Sequence, residues 1–67
     1  MTNKVHELRK INNLTQEDLA KRLGVTRQTI ISIENGKYVA SLQLALKISE
    51  VFGKHVEEIF SLKEDEH

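Results

Sequence analysis

The stretch GVTRQTIISIENGKY, Gly24 to Tyr38, decides the reading of this chain. At about 100° per residue, a helix opened by Thr26 turns Ile30 inward and brings Ile33 and Glu34 round to the inner side. Gln28, Ser32 and Asn35 then cluster on the far side, flanked by Arg27 and Ile31. Any surface helix has a polar outer face for solvation alone, and that plain reading stands beside a functional one. Two features favour function. A second short helix precedes this one across a tight Gly24 turn, and the outer face offers planar hydrogen-bonding groups instead of the Lys and Glu of ordinary solvated surface. In a DNA major groove, Gln pairs two-pronged with adenine and Arg with guanine, while an exposed Ile suits a thymine methyl.

Working outward, the pattern predicts five short helices. Val5, Leu8 and Ile11 or Asn12 fall at helical spacing, and Asn13 supplies a stop. Thr15 is a good N-cap, with Asp18 three residues on as a near match to the reciprocal capping box. Leu19, Ala20 and Leu23 form the buried stripe of this second helix, and Gly24 ends it in the left-handed conformation that glycine adopts most cheaply. The third helix ends near Asn35-Gly36. Ser41 caps a fourth, Leu42 to Phe52, closed by Gly53, and Val56 to Phe60 make a last helical turn. The fold class expected is all-α, a compact five-helix bundle in one domain over residues 1–62, followed by a charged tail, 63–67.

At 67 residues the chain is one domain at most, and so small a domain buries only about 60% of the surface its unfolded chain exposes, which favours oligomerisation. It has no Cys, so disulfides, thiolate catalysis and Cys-based metal sites are excluded together. No apolar run approaches the roughly 18 residues of a membrane span, and no basic-then-apolar leader follows Met1. The expectation is a soluble, cytoplasmic protein. The formal net charge is +0, but its distribution is uneven. Residues 1–38 carry seven basic and four acidic side chains, a net of +3, and residues 39–67 carry three basic and six acidic, a net of −3. The stretch quoted above lies in the positive half, where a polyanion would be attracted.

LTQEDLAKRLGVTRQTIISIENGKYVASLQLALKI resembles the helix-turn-helix of the Cro/C1-type phage and bacterial repressors, and the likeness runs from about Val5 to Phe60. Thr15-Gln16 opening helix two, Ala20 within it, Gly24 in the turn, Thr26 to Ile30 opening helix three and Ile33-Glu34-Asn35-Gly36 carry it, and the short, stand-alone dimeric members are the most similar. The resemblance implies a five-helix fold with helix three in the major groove. It assigns Arg27 and Gln28 to the principal base-reading positions and Ser32 to a secondary one, with Ile31 beside them. Gln16 falls where relatives grip a phosphate, and Thr26, Thr29, Asn35, Lys37 and Tyr38 where they touch the DNA backbone. Arg9 and Glu34 are implied to form a structural ion pair across helices one and three. Many relatives carry Asn-Pro before the fourth helix, where this chain has Val39-Ala40.

The function expected is therefore that of a sequence-specific transcriptional regulator, a repressor of a palindromic operator, working as a homodimer on double-stranded DNA. A compact antitoxin-type interaction module with secondary DNA binding is the alternative, and a regulatory protein partner fits either. No Ser, His and acid converge and no Gly-rich phosphate loop exists, so no enzyme is expected, and no cofactor. His6, His55 and His67 lack ligand spacing, so no metal is expected either. Apolar residues left over from the core mark the expected dimer face: Leu42 and Leu46 on helix four, then Val56, Ile59, Phe60 and Leu62.

Overall fold

Hydroxyl side chains open three of the five helices. The computed structural model describes residues 2–37 and 40–62, in the order β1 (Thr2–Asn3), α1 (Val5–Ile11), α2 (Gln16–Leu23), α3 (Arg27–Glu34), α4 (Leu42–Phe52), α5 (Val56–Ile59) and β2 (Phe60–Ser61). Thr15 accepts from the Asp18 N–H at 3.0 Å, and the Asp18 carboxylate accepts in return from the Thr15 N–H at 3.0 Å, completing the capping box. Thr26 accepts from the Thr29 N–H and Ser41 from the Leu44 N–H, each at 3.2 Å. Each such cap satisfies one of the donors that a helix start leaves orphaned.

The first four helices also end alike. A residue at positive φ lets the N–H beyond it reach back five residues: Leu14 to the Arg9 carbonyl, Val25 to Ala20 and Lys37 to Ser32, each at 3.0 Å, and Lys54 to Ser49 at 3.2 Å. These are Schellman closures, with Gly at three of the turning positions and Asn13, at φ 57°, at the other. At Gly24, φ is 74° and the space a Cβ would occupy is open, so a side chain there is opposed by backbone conformation alone.

Between these ends the apolar stripes converge on one core. Val5, Leu19, Leu23, Ile30, Ile33, Ile48 and Ile59 are all essentially sealed from solvent, with Leu8, Leu14, Val25, Ala40, Val51, Phe52 and Phe60 packed around them. Tyr38, Val39 and the expected tail, 63–67, lie outside the described residues. No helix among the described residues is long and apolar enough to cross a membrane.

The all-α expectation stands, and two details within it are corrected, the end of the last helix and the place of Ile59. The bundle is mostly helical, but the chain ends add a minor antiparallel β pair, Thr2 opposite Ser61 and Asn3 opposite Phe60, so Phe60 begins a strand instead of finishing α5. Ile11 is 73% exposed, because α1 stops at that residue and the turn at Asn13 sends Leu14 to the core in its place. Ile59, expected on the dimer face, is 1% exposed and closed inside the chain's own core, whereas Leu62, three residues on, is 83% exposed. The Lys4 N–H bond to the Ile59 carbonyl, 2.9 Å, draws α5 against the start of α1 and leaves Ile59 no route to the surface.

That difference gives a direct test. Ile59→Ala should lower unfolding free energy by about 2–5 kcal/mol, the range for emptying a fully buried aliphatic site, while Leu62→Ala should change it by less than about 0.5 kcal/mol. Denaturant titrations of the two variants would decide, and comparable losses at both positions would contradict this placement of Ile59.

Candidate nucleic-acid interface

Helix α3 is a two-faced element. Ile30 and Ile33 are wholly buried, and Glu34 turns its side chain inward with 6% exposure. Arg27, Gln28 and Asn35 are exposed, while Ile31 and Ser32 are half-buried along the flanks. The helix is thus held by one side, and its N-terminal residues project from the other. Thr26 is exposed and Thr29 half-buried, and their hydroxyls lie 3.1 Å apart at the helix start. Lys37, just past the C-terminal turn, is exposed. Gln16, on the first turn of α2, shares an open depression with Lys10, Thr15 and Arg27, which brings the expected phosphate-gripping residue beside the first expected base reader.

What fixes this face lies behind it. Arg9 Nε donates to Glu34 Oε2 at 2.7 Å and Arg9 Nη2 to Oε1 at 3.2 Å, a two-pronged pair with side chains 9% and 6% exposed. Arg9 Nη1 donates to the Leu14 carbonyl at 3.0 Å, in the link between α1 and α2. Gln16 Nε2 donates to Glu34 Oε1 at 3.3 Å, so the same carboxylate also holds the start of α2. Burial alone would raise the pKa of Glu34, but the hydrogen bonds from Arg9, His6 and Gln16 and the Arg9 charge outweigh it and hold the carboxyl below its ordinary value. Asp18 is lowered as well, by the Thr15 backbone N–H first and the Thr15 hydroxyl second.

Sequence reasoning missed two participants. His6, considered from the sequence only as a metal ligand, has Nδ1 3.2 Å from Glu34 Oε1 and 3.0 Å from Arg9 Nη2. Arg9 can only donate and an ionised Glu34 can only accept, so this one ring nitrogen serves one of them at a time. It accepts from Arg9 when bare and donates to Glu34 when protonated. Its position three residues before Arg9, on the same helix face, was the available signal. Asn3 is the other, with its amide on the C-terminal turn of α3 at 2.9 Å from the Ile33 carbonyl. No local pattern marks a contact across 30 residues of chain.

The expected dimer residues divide. Leu42 and Leu46, one turn apart on α4, are 73% and 51% exposed, and Leu62 is freely exposed. Val56 and Phe60 are half-buried, and Ile59 belongs to the core. Among the described residues no group of three or more His, Cys, Asp or Glu is arranged to hold a metal ion.

Two outcomes follow for the ion pair. Glu34→Ala should cost roughly 3 kcal/mol, the lower end for orphaning one partner of a buried pair, because Arg9 keeps its bond to the Leu14 carbonyl. A thermal midpoint within a degree or two of the wild type would contradict it. The depressed pKa of Glu34 also carries a sign. Its stabilisation is fully present above the unfolded-state glutamate value, about 4.3, and is lost as pH falls through the lower folded value. Unfolding measured between pH 7 and pH 3 should therefore show a shallower acid decline for Glu34→Gln than for the wild type. Asp18 titrates in the same direction in both proteins, so the difference between them isolates Glu34.

The architecture has counterparts. The helix-turn-helix family matches residues 5–59. A protein of Methanocaldococcus jannaschii, named as an uncharacterized HTH-type transcriptional regulator, is 59% identical over 66 residues that cover 98% of this chain and 100% of that one. A similarly named protein of Methanothermobacter thermautotrophicus is 55% identical over 62 residues, 91% of this chain and 90% of that one. The HTH-type regulator YgzD of Bacillus subtilis is 51% identical over 65 residues, 97% and 98% of the two chains. With α2, its Gly24 turn and the two-faced α3 all inside the matched segment, this chain belongs to the helix-turn-helix family.

Proposed function

We propose that the protein is a sequence-specific DNA-binding transcriptional regulator, a repressor that occupies a palindromic operator as a homodimer with α3 in the major groove. The observation that carries this reading is the division of α3 between a sealed inner face and an outer face of Arg27, Gln28 and Asn35. A helix locked by Ile30, Ile33 and Glu34 presents its outer side chains at a fixed angle, which base-edge hydrogen bonding requires. Arg27 and Gln28 read bases, with Ser32 and Ile31 at the flank. Gln16, Thr26, Thr29, Asn35 and Lys37 hold the sugar-phosphate backbone, and Tyr38 is assigned with them from the sequence. Backbone contacts set the register and base contacts specify the sequence. The names of the relatives, HTH-type transcriptional regulators, agree with this use.

A homodimer is supported by the apolar side chains left outside the core. Leu42, Leu46 and Leu62 are each more than half exposed, with Leu42 and Leu46 one turn apart on α4, and pairing with a second copy would take this apolar surface out of water. Val56 and Phe60 are half-buried, and Ile59 acts from the core by holding α5 in place. Pairing through this acidic C-terminal half would set two α3 helices about 34 Å apart, facing successive major grooves. It would also double the phosphate contacts of a reading half that carries only +3.

Gln28→Ala should then weaken operator binding by about 1–3 kcal/mol and relax preference at one base pair per half-site, with Arg27→Ala acting at a neighbouring pair. Gel-shift titration against operator and scrambled duplexes checks this, and wild-type affinity for both in both variants would remove α3 as the reader. Gln16→Ala should weaken all sequences alike and leave the salt dependence unchanged, because the lost contact carries no charge. For the interface, Leu46→Asp or Leu62→Asp should give a folded monomer without operator affinity. A wild type that sediments as a monomer at micromolar concentration yet binds the operator fully would sink the dimer.

A further inference from the structure

We propose that Asn3 is a positioning residue that couples the recognition helix to the C-terminal segment and so sets the half-site spacing the protein accepts. The inference deepens the operator reading above and rests on it. Asn3 is half-buried where four segments meet. Its Nδ2 donates to the Ile33 carbonyl at 2.9 Å, in the last turn of α3, and its Oδ1 accepts from the Val5 N–H at 3.1 Å, at the start of α1. One partner can only accept and the other only donate, so the amide has a single allowed orientation. The backbone of Asn3 meanwhile pairs with Phe60 in the β1–β2 ladder, and the next residue, Lys4, donates to the Ile59 carbonyl at 2.9 Å.

These bonds add a directional polar tie between two parts that otherwise meet through the shared aliphatic core and the Lys4 bond to Ile59. The Arg9–Glu34 pair ties α3 to α1 and, through Gln16, to α2, all within the DNA-facing half. Asn3 ties the same end of α3 to β2, which continues α5 and leads to the exposed Leu62. The core holds these parts together without fixing their angle, and the Asn3 amide is a directional side-chain bond between the end of α3 and the residue that pairs with β2. At 1.5 Å per residue α3 is roughly 12 Å long, so a tilt of only about 5° at its anchored end moves Arg27 and Gln28 by about 1 Å. A displacement of that size breaks a hydrogen bond to a base edge. In a two-fold dimer it applies in opposite senses at the two half-sites, so it reads out as an error of spacing. Asn3 lies outside residues 5–59, the segment that matches the family, so its role is not part of what that match carries.

The test begins with duplexes enriched from a randomised pool by the wild type, whose two half-sites are then moved together or apart by one base pair. The wild type should discriminate sharply between spacings. Asn3→Ala removes both side-chain bonds, whereas Asn3→Asp keeps the acceptor for the Val5 N–H and removes only the donor to Ile33. Both should bind the enriched duplex about 2- to 30-fold more weakly, the span of coupling changes that single residues produce. Their preference among spacings should flatten, while affinity for scrambled DNA stays as in the wild type. A merely structural loss would weaken every duplex in parallel and leave the spacing preference intact. A folded Asn3→Asp protein with wild-type spacing preference overturns the proposal, and so does an unfolded one, which would assign Asn3 to stability alone. If the wild type enriches no two-fold sequence, the operator reading itself fails and this inference fails with it.

Discussion

The Glu34 carboxylate is the constraint from which the rest of the molecule takes its geometry. It collects Arg9 through two bonds, Gln16 through one, and has the His6 ring within reach, and so gathers α1, the start of α2 and the end of α3 around a single charged group. With both side chains of the ion pair under a tenth exposed, its hydrogen bonds act in a medium of low dielectric, where a satisfied network is stiff and a broken one is costly. A buried ion pair contributes less to net stability than an apolar replacement of equal volume could. Its use here is geometric, since an aliphatic pair in the same place could slide and a two-pronged arginine–carboxylate pair cannot.

That stiffness matters because the domain is small. The aliphatic core formed by Val5, Leu19, Leu23, Ile30, Ile33, Ile48 and Ile59 contains no aromatic ring, and its residues come from all five helices. Such a core supplies attraction without much direction. Direction comes from polar groups at its edges: the Thr15, Thr26 and Ser41 caps fix where helices begin, the Schellman closures fix where they end, and Glu34 fixes how three of them cross. The outer face of α3 inherits that order. Arg27 and Gln28 project into solvent as side chains, from a helix anchored by Ile30, Ile33 and Glu34 beneath them.

Most of this was legible in the sequence, for an identifiable reason. Helix starts and stops are written in local chemistry, so Thr15 with Asp18, Thr26, Ser41, Gly24 and Gly53 could be placed from their immediate neighbours. The inward residues of α2 and α3 followed from periodicity, and with them the outward position of Arg27, Gln28 and Asn35. Contacts between distant parts of the chain were not legible. Strands of two residues have no periodicity to detect, and the β1–β2 pairing joins opposite ends of the described chain. The burial of Ile59 follows from that pairing, and a helical wheel of α5 alone could not separate it from Leu62. Asn3 on Ile33 and Gln16 on Glu34 are likewise products of the tertiary fold, and His6 became visible only once Arg9 and Glu34 had a geometry.

On the proposed reading of Gln16 as a phosphate contact, its link to Glu34 also bears on how such a contact would be oriented. A side-chain amide has two N–H donors and one acceptor on a rotatable stem, and an unrestrained Gln would present any of them to an approaching anion. With one N–H given to Glu34, the plane of the amide is set and its second N–H has a defined direction. The negative charge that does this is kept away from the phosphate by its position on the inner side of α3, and it is balanced at contact distance by Arg9. A carboxylate so placed can orient a phosphate-binding donor without repelling the phosphate. A Glu at the surface of α3 would orient nothing and would oppose the DNA. The inward turn of Glu34 and the outward turn of Arg27 and Gln28 are therefore two consequences of one helical register, and a sequence that shifted that register by one residue would lose both together.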